Sequence, residues 1–317
     1  MTDSSWQPMA TLETLRSRAK LLQTLRAFFC DRQVLEVDVP SLARIASTDP
    51  HIDSIVARVC DEPMYLQTSP EFFLKRMLAA GSGDIYSLAK AFRNGEAGRK
   101  HNPEFTMLEW YRVDWDEHQL MDEVISLLRA CMSVSSVEKL SYRQLFQRHF
   151  NIDPHQSDAK NLRDIANQYG EFDWQDDDRD VWLDLLMTHV IEPKMGNGLV
   201  LVYDFPETQA ALARRENDSQ GQLIARRFEA YVGGVELANG YWELCDGEEQ
   251  ADRFDQDLKK RAEMGLPQLP CDHNLVQALN SGMPECAGVA LGVDRLLMLA
   301  TGVTDIRQLL AFPFERV

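Results

Sequence analysis

Residues that could bind a phosphorylated nucleotide and an amino compound cluster in one segment of this chain. Phe105, Met107, Glu109 and Tyr111 alternate along it, and Arg93 stands one loop earlier. Because side chains two residues apart in a strand share a face, we expect a ring, a carboxylate and a phenol beside a cation. A guanidinium clamps phosphate or carboxylate through paired hydrogen bonds, and a ring stacks on a base. The pattern equally allows a structural role, with Phe105 and Met107 in the core and Glu109 paired with an arginine.

A helix and a strand are predicted before this segment. The helix starts at Thr11, where apolar residues recur at helical spacing. Those residues are Leu15, Ala19, Leu22 and Phe29. The strand ends before Pro40 and alternates apolar with acidic residues, as a strand with one buried face does. Its apolar residues are Leu35, Val37 and Val39.

The segment itself is predicted to be one arm of an antiparallel hairpin. Strands are indicated over residues 85–93 and 104–111, and the loop between them is rich in turn-forming residues. Those residues are Asn94, Gly95, Gly98, Asn102 and Pro103. The hairpin therefore has a long tip.

The rest of the chain adds helices and further strands. Residues 140–193 are predicted to be helical, with the acidic run 176–180 as a solvated face. Three strands are predicted at residues 199–205, 228–232 and 235–237. Gly233 and Gly234 make the turn between the last two, and residues 288–301 predict a strand that enters a helix. Because strands outnumber those of a βαβ alternation, we expect an α+β fold with a mainly antiparallel sheet and outer helices.

Length and composition limit the class of protein. The chain has 317 residues, 44% of them hydrophobic, which suits one large catalytic domain over residues 1–317. It has no run of about 18 or more apolar residues, and residues 1–10 lack the features of a secretory signal. We therefore expect a cytoplasmic protein with no membrane partner.

Cysteine spacing and net charge argue against zinc binding, disulfide bonding and a nucleic-acid partner. The six cysteines include no Cys-x-x-Cys pair, which argues against a zinc site and a disulfide framework. We expect free thiols, mostly in the core. The net charge of -17 repels polyanions, whereas nucleic-acid binding depends largely on Lys and Arg neutralising phosphates. Charge therefore disfavours a tRNA partner.

Several segments, in order, resemble the motifs of class II aminoacyl-tRNA synthetases, in particular the lysyl branch. Residues 91–111, AFRNGEAGRKHNPEFTMLEWY, resemble motif 2, and GVALGVDRLLML from Gly288 resembles motif 3. Residues 11–40 are similar to motif 1. Two more matching segments are TSPEFFLKR at 68–76 and GGVELANGYWEL at 233–244. The likeness covers nearly the whole chain, and it implies the class II catalytic fold and a homodimer formed through motif 1.

The resemblance implies that the chain binds ATP with Mg²⁺. Arg93 would bridge the α-phosphate and the substrate carboxylate, Arg295 would reach the γ-phosphate, and both would be catalytic. Phe105 would stack on adenine with Arg295 opposite, and Glu236 would hold the magnesium. The implied ATP-binding set is Arg93, Asn94, Gly95, His101, Asn102, Phe105, Glu236, Leu237, Gly292 and Arg295.

The same resemblance implies a lysine-like amino acid as the substrate. Its implied binding set is Ser69, Pro70, Glu71, Glu109, Tyr111, Asn239, Glu243 and Ala290. Buried ammonium groups need carboxylate partners, and this set is rich in glutamate. The reaction would need no side-chain nucleophile, because the substrate carboxylate attacks the α-phosphorus and pyrophosphate leaves.

Three departures from the lysyl pattern refine these expectations. No anticodon-reading OB-fold precedes motif 1, as in truncated lysyl-type ligases, which implies that the acceptor is a lysine of translation elongation factor P instead of tRNA. Ala290 replaces a motif 3 glycine, which we interpret as retuning the pocket from α-lysine toward (R)-β-lysine, with a neutral packing change as the alternative. Gly95 replaces a motif 2 glutamate, and Glu96 follows one position late. Either Glu96 substitutes for it, or the contact is lost.

The sequence also allows two other hypotheses. One is a lysyl synthetase that charges tRNA. The other is a catalytically silent paralogue that acts as a regulatory subunit. Gly95 favours the silent paralogue, whereas the presence of Arg93, Glu236, Glu243 and Arg295 opposes it.

Overall fold

A computed structural model describes the protein over residues 6–172 and 176–317. Residues 1–5, in the stretch without signal features, and residues 173–175, in the segment predicted to be helical, lie outside the described residues. The α-helices are α1 (Leu12–Cys30), α2 (Glu71–Ala79), α3 (Glu117–Cys131), α4 (Tyr142–Phe150), α5 (Ala159–Ala166), α6 (Arg179–Leu186), α7 (Gly247–Glu263), α8 (His273–Asn280) and α9 (Val293–Thr301). The strands are β1 (Leu35–Glu36), β2 (Leu42–Ala43), β3 (Val56–Val59), β4 (Glu62–Leu66), β5 (Ile85–Phe92), β6 (Glu104–Val113), β7 (Val137–Ser141), β8 (Leu199–Pro206), β9 (Arg215–Asn217), β10 (Leu223–Val232), β11 (Val235–Trp242) and β12 (Cys286–Gly292).

The chain divides into two compact units. The first takes in Met1–Asp114, Ala130–Met132 and Cys245–Val317. The second takes in Trp115–Arg129 and Ser133–Leu244.

In the first unit, four strands lie in the order β1-β5-β6-β12, and β2, β4 and β3 form a separate sheet. β1 is parallel to β5, whereas β6 is antiparallel to both β5 and β12. Helix α1 packs on these strands through Phe29. Its ring stacks on Tyr86 at a centroid distance of 4.5 Å and meets Trp110 edge-on at 5.3 Å. This aromatic group fixes the helix against the hairpin strands.

In the second unit, the strand order is β11-β10-β8-β7, with β9 paired to β10. Helices α4, α5 and α6 surround a core that includes Phe146, Leu162, Trp182 and Leu183. Each of these helices begins on a side chain that accepts a backbone N–H, namely Ser141, Asp158 and Asp178. Such caps satisfy donors that the first helical turn leaves without partners. Asp178 belongs to the predicted solvated acidic face, so one residue of that run also starts α6.

The predicted fold class is confirmed as α+β with mainly antiparallel strands. The hairpin predicted over residues 85–93 and 104–111 is present as β5 and β6, and residues 288–301 form β12 and α9. Among the described residues of 140–193, α4, α5, α6 and the helical turns that follow α6 are helical, Leu140 and Ser141 end strand β7, and loops separate α4 from α5 and α5 from α6. Within the described ranges, no helix combines the length and apolarity needed to cross a bilayer.

The predicted buried face of α1 is largely wrong. Ala19 is exposed and Leu15 and Leu22 are half-buried, whereas the buried residues are Leu21, Leu25, Phe28 and Phe29. Two overlapping sets of apolar residues in α1 recur at the helical period. The set that includes Leu21 and Leu25 is the one that is buried. Periodicity alone predicts a helix but does not choose between two such faces.

The strand before Pro40 is also shorter than predicted. It pairs only through Leu35 and Glu36, and Leu35 is 54% exposed although Val37 is buried. At this edge Glu36 accepts hydrogen bonds from Tyr86 and Arg26, so polar contacts set the local orientation.

The prediction that the cysteines lie mostly in the core is wrong. Cys286 is buried, Cys131, Cys245 and Cys271 are half-buried, and Cys30 and Cys60 are exposed. All six are free thiols. Spacing along the chain indicates pairing chemistry but carries little information about burial.

The turn between β10 and β11 generates a stability prediction. Gly233 and Gly234 have φ angles of 60° and 68°, in the left-handed region that the favoured two-residue hairpin turn requires. A Cβ on Gly234 would lie 2.3 Å from the carbonyl oxygen of Glu192, whereas a Cβ on Gly233 meets nothing within 4 Å. The two glycines therefore have similar φ angles, but only Gly234 lacks room for a side chain.

We expect Gly234→Asn to lower the free energy of unfolding by at least about 2 kcal/mol more than Gly233→Asn. Asparagine tolerates positive φ, so the shared conformational cost largely cancels and the difference reports the clash with Glu192. Chemical denaturation of both variants measures it. Equal destabilisation would show that Glu192 moves aside without penalty.

Candidate active site

A buried carboxylate on α9 joins the three segments that resemble motifs 1, 2 and 3. Asp294 accepts a hydrogen bond from Arg18 Nη1 on α1 at 2.5 Å and from the backbone N–H of Thr106 on β6 at 2.7 Å. Arg18 Nη2 also donates to the hydroxyl of Thr106 at 2.7 Å. Asp294 is only 2% exposed, and a buried carboxylate requires such partners. The junction fixes the start of α9, which has Gly292 as its N-cap.

The loop between β5 and β6 is held at its entrance by Asn94. Its backbone N–H donates to Asp53 O at 2.9 Å, and its Nδ2 donates to Asp53 Oδ2 at 2.6 Å. Gly95 follows with a φ of 76°, a conformation that suits glycine. Glu96 then lies 3.6 Å from Arg93 Nη1. Glu96 therefore forms an ion pair with Arg93, and its substitution for the motif 2 glutamate stays a prediction.

The exit of the same loop is held by Asn102. This residue is 8% exposed, and its Nδ2 donates to Glu104 O at 2.7 Å. Its Oδ1 accepts the backbone N–H of Phe314 at 3.0 Å. Asn94 and Asn102 were both predicted to bind ATP. Their side-chain amides already make hydrogen bonds within the protein, so both residues also hold the loop in place.

Four predicted nucleotide-binding side chains lie around the β5–β6 hairpin and the start of α9. The guanidinium carbon of Arg93 lies 5.2 Å from the centroid of the Phe105 ring. His101 Nε2 lies 2.5 Å from Arg295 Nη2. Burial and then the charge of Arg295 lower the pKa of His101, so the neutral imidazole is favoured beside the guanidinium. Two arginines and a ring thus provide groups for phosphate and base.

A cluster rich in carboxylates lies on β6 and α2. Glu109 is 2% exposed and accepts hydrogen bonds from Ser69 and Tyr111, both at 2.7 Å. Ser69 also accepts the backbone N–H of Glu71 at 3.0 Å, and Pro70 precedes that helix as its N-cap. Burial, followed by the charge of Glu71, raises the pKa of Glu109 to about 7. The first unit therefore holds a carboxyl that would gain from a nearby cation.

Two further residues shape this cluster. Lys75 is 1% exposed, and its Nζ lies 2.7 Å from Glu71 Oε1, so one of the two carboxylates already faces a cation. Ala290 on β12 is the direct cross-strand partner of Glu109. Opposed residues in an antiparallel pair share a face, so the Ala290 methyl stands beside the Glu109 side chain.

In the second unit, a buried polar group lies on β10 and β11. Arg227 donates to Asn239 Oδ1 at 3.3 Å and to Gln209 O at 2.9 Å, and it also contacts Glu229. Glu229 accepts a further hydrogen bond from Tyr231. Burial raises the pKa of Glu229, the charge of Arg227 opposes that rise, and the charge of Glu236 adds to it.

The other predicted residues of this unit lie on or just after β11. Glu236 is half-buried, and Leu237 is 2% exposed. Glu243 is 1% exposed, and its backbone forms an isolated antiparallel β-bridge with Ala213. Within residues 6–172 and 176–317, no three His, Cys, Asp or Glu side chains are grouped as a metal cluster. Glu229 and Glu236 instead form a pair of neighbouring carboxylates.

Residues in these groups that sequence reasoning missed include Asp294, Lys75, Arg227 and Glu229. The alternation Arg227, Glu229, Tyr231 was a visible signal, because it enters the strand predicted over residues 228–232 and repeats the pattern that drew attention to residues 105–111. Lys75 lies four residues after Glu71, the spacing of a helical ion pair. No comparable local signal links Asp294 to Arg18.

Comparison with known proteins agrees with this geometry. The model of the family "tRNA synthetases class II (D, K and N)" matches residues 7–316. Curated relatives named "Elongation factor P--(R)-beta-lysine ligase" include one from Yersinia enterocolitica, 47% identical over 99% of this chain and 98% of the relative. The protein of that name from Yersinia pestis (strain Pestoides F) is 47% identical over 99% of both chains, and that from Pectobacterium carotovorum is 48% identical over 99% of this chain and 98% of the relative. The chain belongs to the class II tRNA synthetase family.

The raised pKa of Glu109 generates a pH prediction. Its folded pKa of about 7 exceeds the ordinary value of 4.5, so the native state keeps a proton that the unfolded state releases. The contribution of Glu109 to stability is present below the ordinary pKa and is lost as pH rises toward the folded pKa. Between about pH 5 and pH 8 the unfolding free energy of the wild type should fall as Glu109 ionises. In the Glu109→Gln variant, whose amide does not titrate, we expect this fall to be smaller by about 1 to 3 kcal/mol.

Urea denaturation at several pH values measures this difference. Glu104→Gln is the matched control, because Glu104 lies on the same strand but is exposed. That variant should follow the wild-type pH profile. Parallel profiles for Glu109→Gln and wild type would contradict the buried-carboxyl assignment.

Proposed function

We propose that this chain activates (R)-β-lysine, or lysine, with ATP and transfers it to the ε-amino group of a lysine on translation elongation factor P. One observation carries the proposal. The buried carboxyl of Glu109, beside Glu71 and held by Ser69 and Tyr111, is suited to an ammonium group. Relatives that bear the corresponding name match this chain over nearly its whole length.

Activation follows from positioned charge. The substrate carboxylate attacks the α-phosphorus, a P–O bond forms, and the bond to pyrophosphate breaks. Arg93 is assigned to the α-phosphate and the carboxylate, and Arg295 to the γ-phosphate. Both side chains are positively charged donors, which stabilise the negative charge that builds up on the phosphates in the transition state. Phe105 is assigned to the adenine, with the guanidinium of Arg93 5.2 Å from its ring centroid.

Membership of this family implies ATP use and typically Mg²⁺, and the residues present fit that ion. Glu236 is half-buried beside Glu229, which is already paired with Arg227, so Glu236 is the carboxylate that would hold a hard divalent cation. Mg²⁺ is commonly bound by one or two carboxylates together with substrate phosphates. When bound, the ion would neutralise charge on the phosphates.

We assign the choice between lysine isomers to Ala290. Its methyl group faces the same side as Glu109, so it restricts the space next to the carboxyl that would receive an ammonium group. A single methyl in a tight pocket changes selectivity by about 1 to 3 kcal/mol. A β-amino group is displaced by one carbon from an α-amino group, and the restriction therefore favours the β-isomer.

The second step is attack by the acceptor amine on the acyl carbon of the adenylate. A C–N bond forms, AMP leaves, and the amine loses a proton. A protein lysine suits an enzyme with a net charge of -17 better than a polyanionic tRNA does. We place this reaction in the cytoplasm, where translation factors act. We also propose a homodimer through motif 1, since Leu12 and Leu35 are 71% and 54% exposed there.

Intact-mass measurement of elongation factor P tests this function directly. After incubation with enzyme, ATP, Mg²⁺ and (R)-β-lysine, we expect the acceptor to gain the mass of one lysyl residue. α-Lysine should be used less efficiently, and tRNA should not be charged. Lysine-dependent exchange of pyrophosphate into ATP reports the first step alone.

Arg295→Ala supplies the loss-of-function control. Removing one transition-state donor typically lowers the rate by about 10²- to 10³-fold, and we expect that loss in pyrophosphate exchange. Absence of exchange with every lysine isomer would overturn the enzyme assignment. Exchange combined with charging of tRNA and no change in the mass of elongation factor P would instead show a lysyl-tRNA synthetase.

A further inference from the structure

The side chain of Asn102 links the loop of residues 94–103 to a distant part of the first unit. Its Oδ1 accepts the backbone N–H of Phe314 at 3.0 Å, while its Nδ2 donates to Glu104 at 2.7 Å. Because Asn102 is 8% exposed, water has little access to replace either partner. A buried amide that loses one partner is penalised more than an exposed one.

A second hydrogen bond ties the same two segments together. The backbone N–H of Ile306 donates to the carbonyl of Arg99 at 2.9 Å. Arg99 lies in the middle of the loop and Asn102 at its exit. Residues 306 and 314 therefore contact the loop at two separated points.

The segment that makes these contacts is itself firmly anchored. Ile306, Leu309 and Leu310 are 2%, 0% and 8% exposed. The carbonyl of Ala311 accepts the N–H of Met9 at 2.8 Å. The loop, in contrast, is mostly exposed from Gly95 to His101. The anchored segment therefore restrains the exposed one.

We propose that residues 305–317 are a positioning element for nucleotide binding. Through hydrogen bonds to Asn102 and Arg99 they form a brace that holds the loop of residues 94–103 in place. The brace sets the position of His101 and of the start of β6, where Phe105 lies. Asn102 is thus a positioning residue through its side chain. The part of this inference that concerns the nucleotide rests on the proposed function, whereas the brace itself does not.

Phe314 permits a test that removes one hydrogen bond. It is the first residue of a short helical turn, Phe314–Arg316, where proline is tolerated, and its side chain is 56% exposed. Pro313 before it has a ψ of 167°, a conformation compatible with a following proline. Phe314→Pro therefore replaces the N–H that Asn102 accepts by the proline Cδ, which also presses against Asn102 Oδ1, and Phe314→Ala is the matched control that keeps the N–H.

The first readout is tryptic cleavage of the folded protein after Arg99 and Lys100, followed by mass spectrometry. Loss of this hydrogen bond, with the proline Cδ now against Asn102, should open the loop at least about 3-fold more often. We expect Phe314→Pro to be cut faster than Phe314→Ala by that factor, and Phe314→Ala to resemble wild type. Equal cleavage of the two variants would overturn the brace.

The Asn102→Ala background shows whether the effect passes through the asparagine. Without the acceptor, Phe314→Pro and Phe314→Ala should be cleaved at the same rate, as a double-mutant cycle requires for a direct interaction. A difference that persists in this background would place the cause elsewhere and overturn the assignment of Asn102.

The second readout is the Kd of the enzyme for ATP, measured by calorimetry in the absence of amino acid. We expect Phe314→Pro to bind ATP about 3- to 10-fold more weakly than Phe314→Ala, with lysine binding changed less than about twofold. Faster cleavage with unchanged ATP affinity would overturn the nucleotide role. Neither readout requires catalysis. If the wild-type enzyme fails to exchange pyrophosphate, the proposed activity is contradicted, but the two readouts still decide whether the brace exists.

Discussion

The first unit depends on the burial of one carboxylate, that of Asp294. It receives Arg18 from α1 and the backbone of Thr106 from β6, so three elements that are far apart in the chain meet at a single charge. Removing Arg18 would leave the buried carboxylate without its counter-charge, which is strongly unfavourable. Arg295 follows Asp294 directly, and its backbone position is fixed by the same junction. The residues assigned to the nucleotide are thus placed by an interaction that does not itself touch the nucleotide.

The carboxylate cluster on β6 and α2 has an asymmetric distribution of charge. Glu71 is paired with the buried Lys75 at 2.7 Å, whereas Glu109 has the hydroxyl groups of Ser69 and Tyr111. Burial and then the charge of Glu71 raise the pKa of Glu109, and the two hydroxyl hydrogen bonds offset only part of that rise. A carboxyl in this state can remain neutral in the free protein and ionise when a cation arrives. A site built in this way accepts an ammonium group without holding an unpaired charge beforehand.

Strongly patterned parts of the structure could be predicted from the sequence. The hairpin of β5 and β6, the Gly233–Gly234 turn and the strand that leads into α9 all follow from local periodicity and turn chemistry. The buried face of α1 could not, because Leu15 and Leu21 belong to two apolar stripes that satisfy the same period. The sheet that selects between them is a tertiary feature.

The candidate site was predictable to a similar degree. Side chains on one strand, such as Glu109 and Tyr111, were expected on one face, and the hydrogen bond between them agrees. The roles of Asn94 and Asn102 within the loop could not be foreseen, since their partners Asp53 and Phe314 lie far away in the chain. Long-range hydrogen bonds leave no periodic trace in a sequence.

The central claim is that Glu109 receives an ammonium group of the substrate. Calorimetric titration of (R)-β-lysine in buffers with different ionisation enthalpies tests it most directly, because it counts the protons released on binding. A carboxyl with a pKa of about 7 is mostly protonated at about pH 6, so the arriving ammonium should displace close to one proton there and almost none at about pH 8.5. Glu109→Gln should abolish this release. Binding without proton release at about pH 6, or equal release from the Glu109→Gln variant, would contradict the claim.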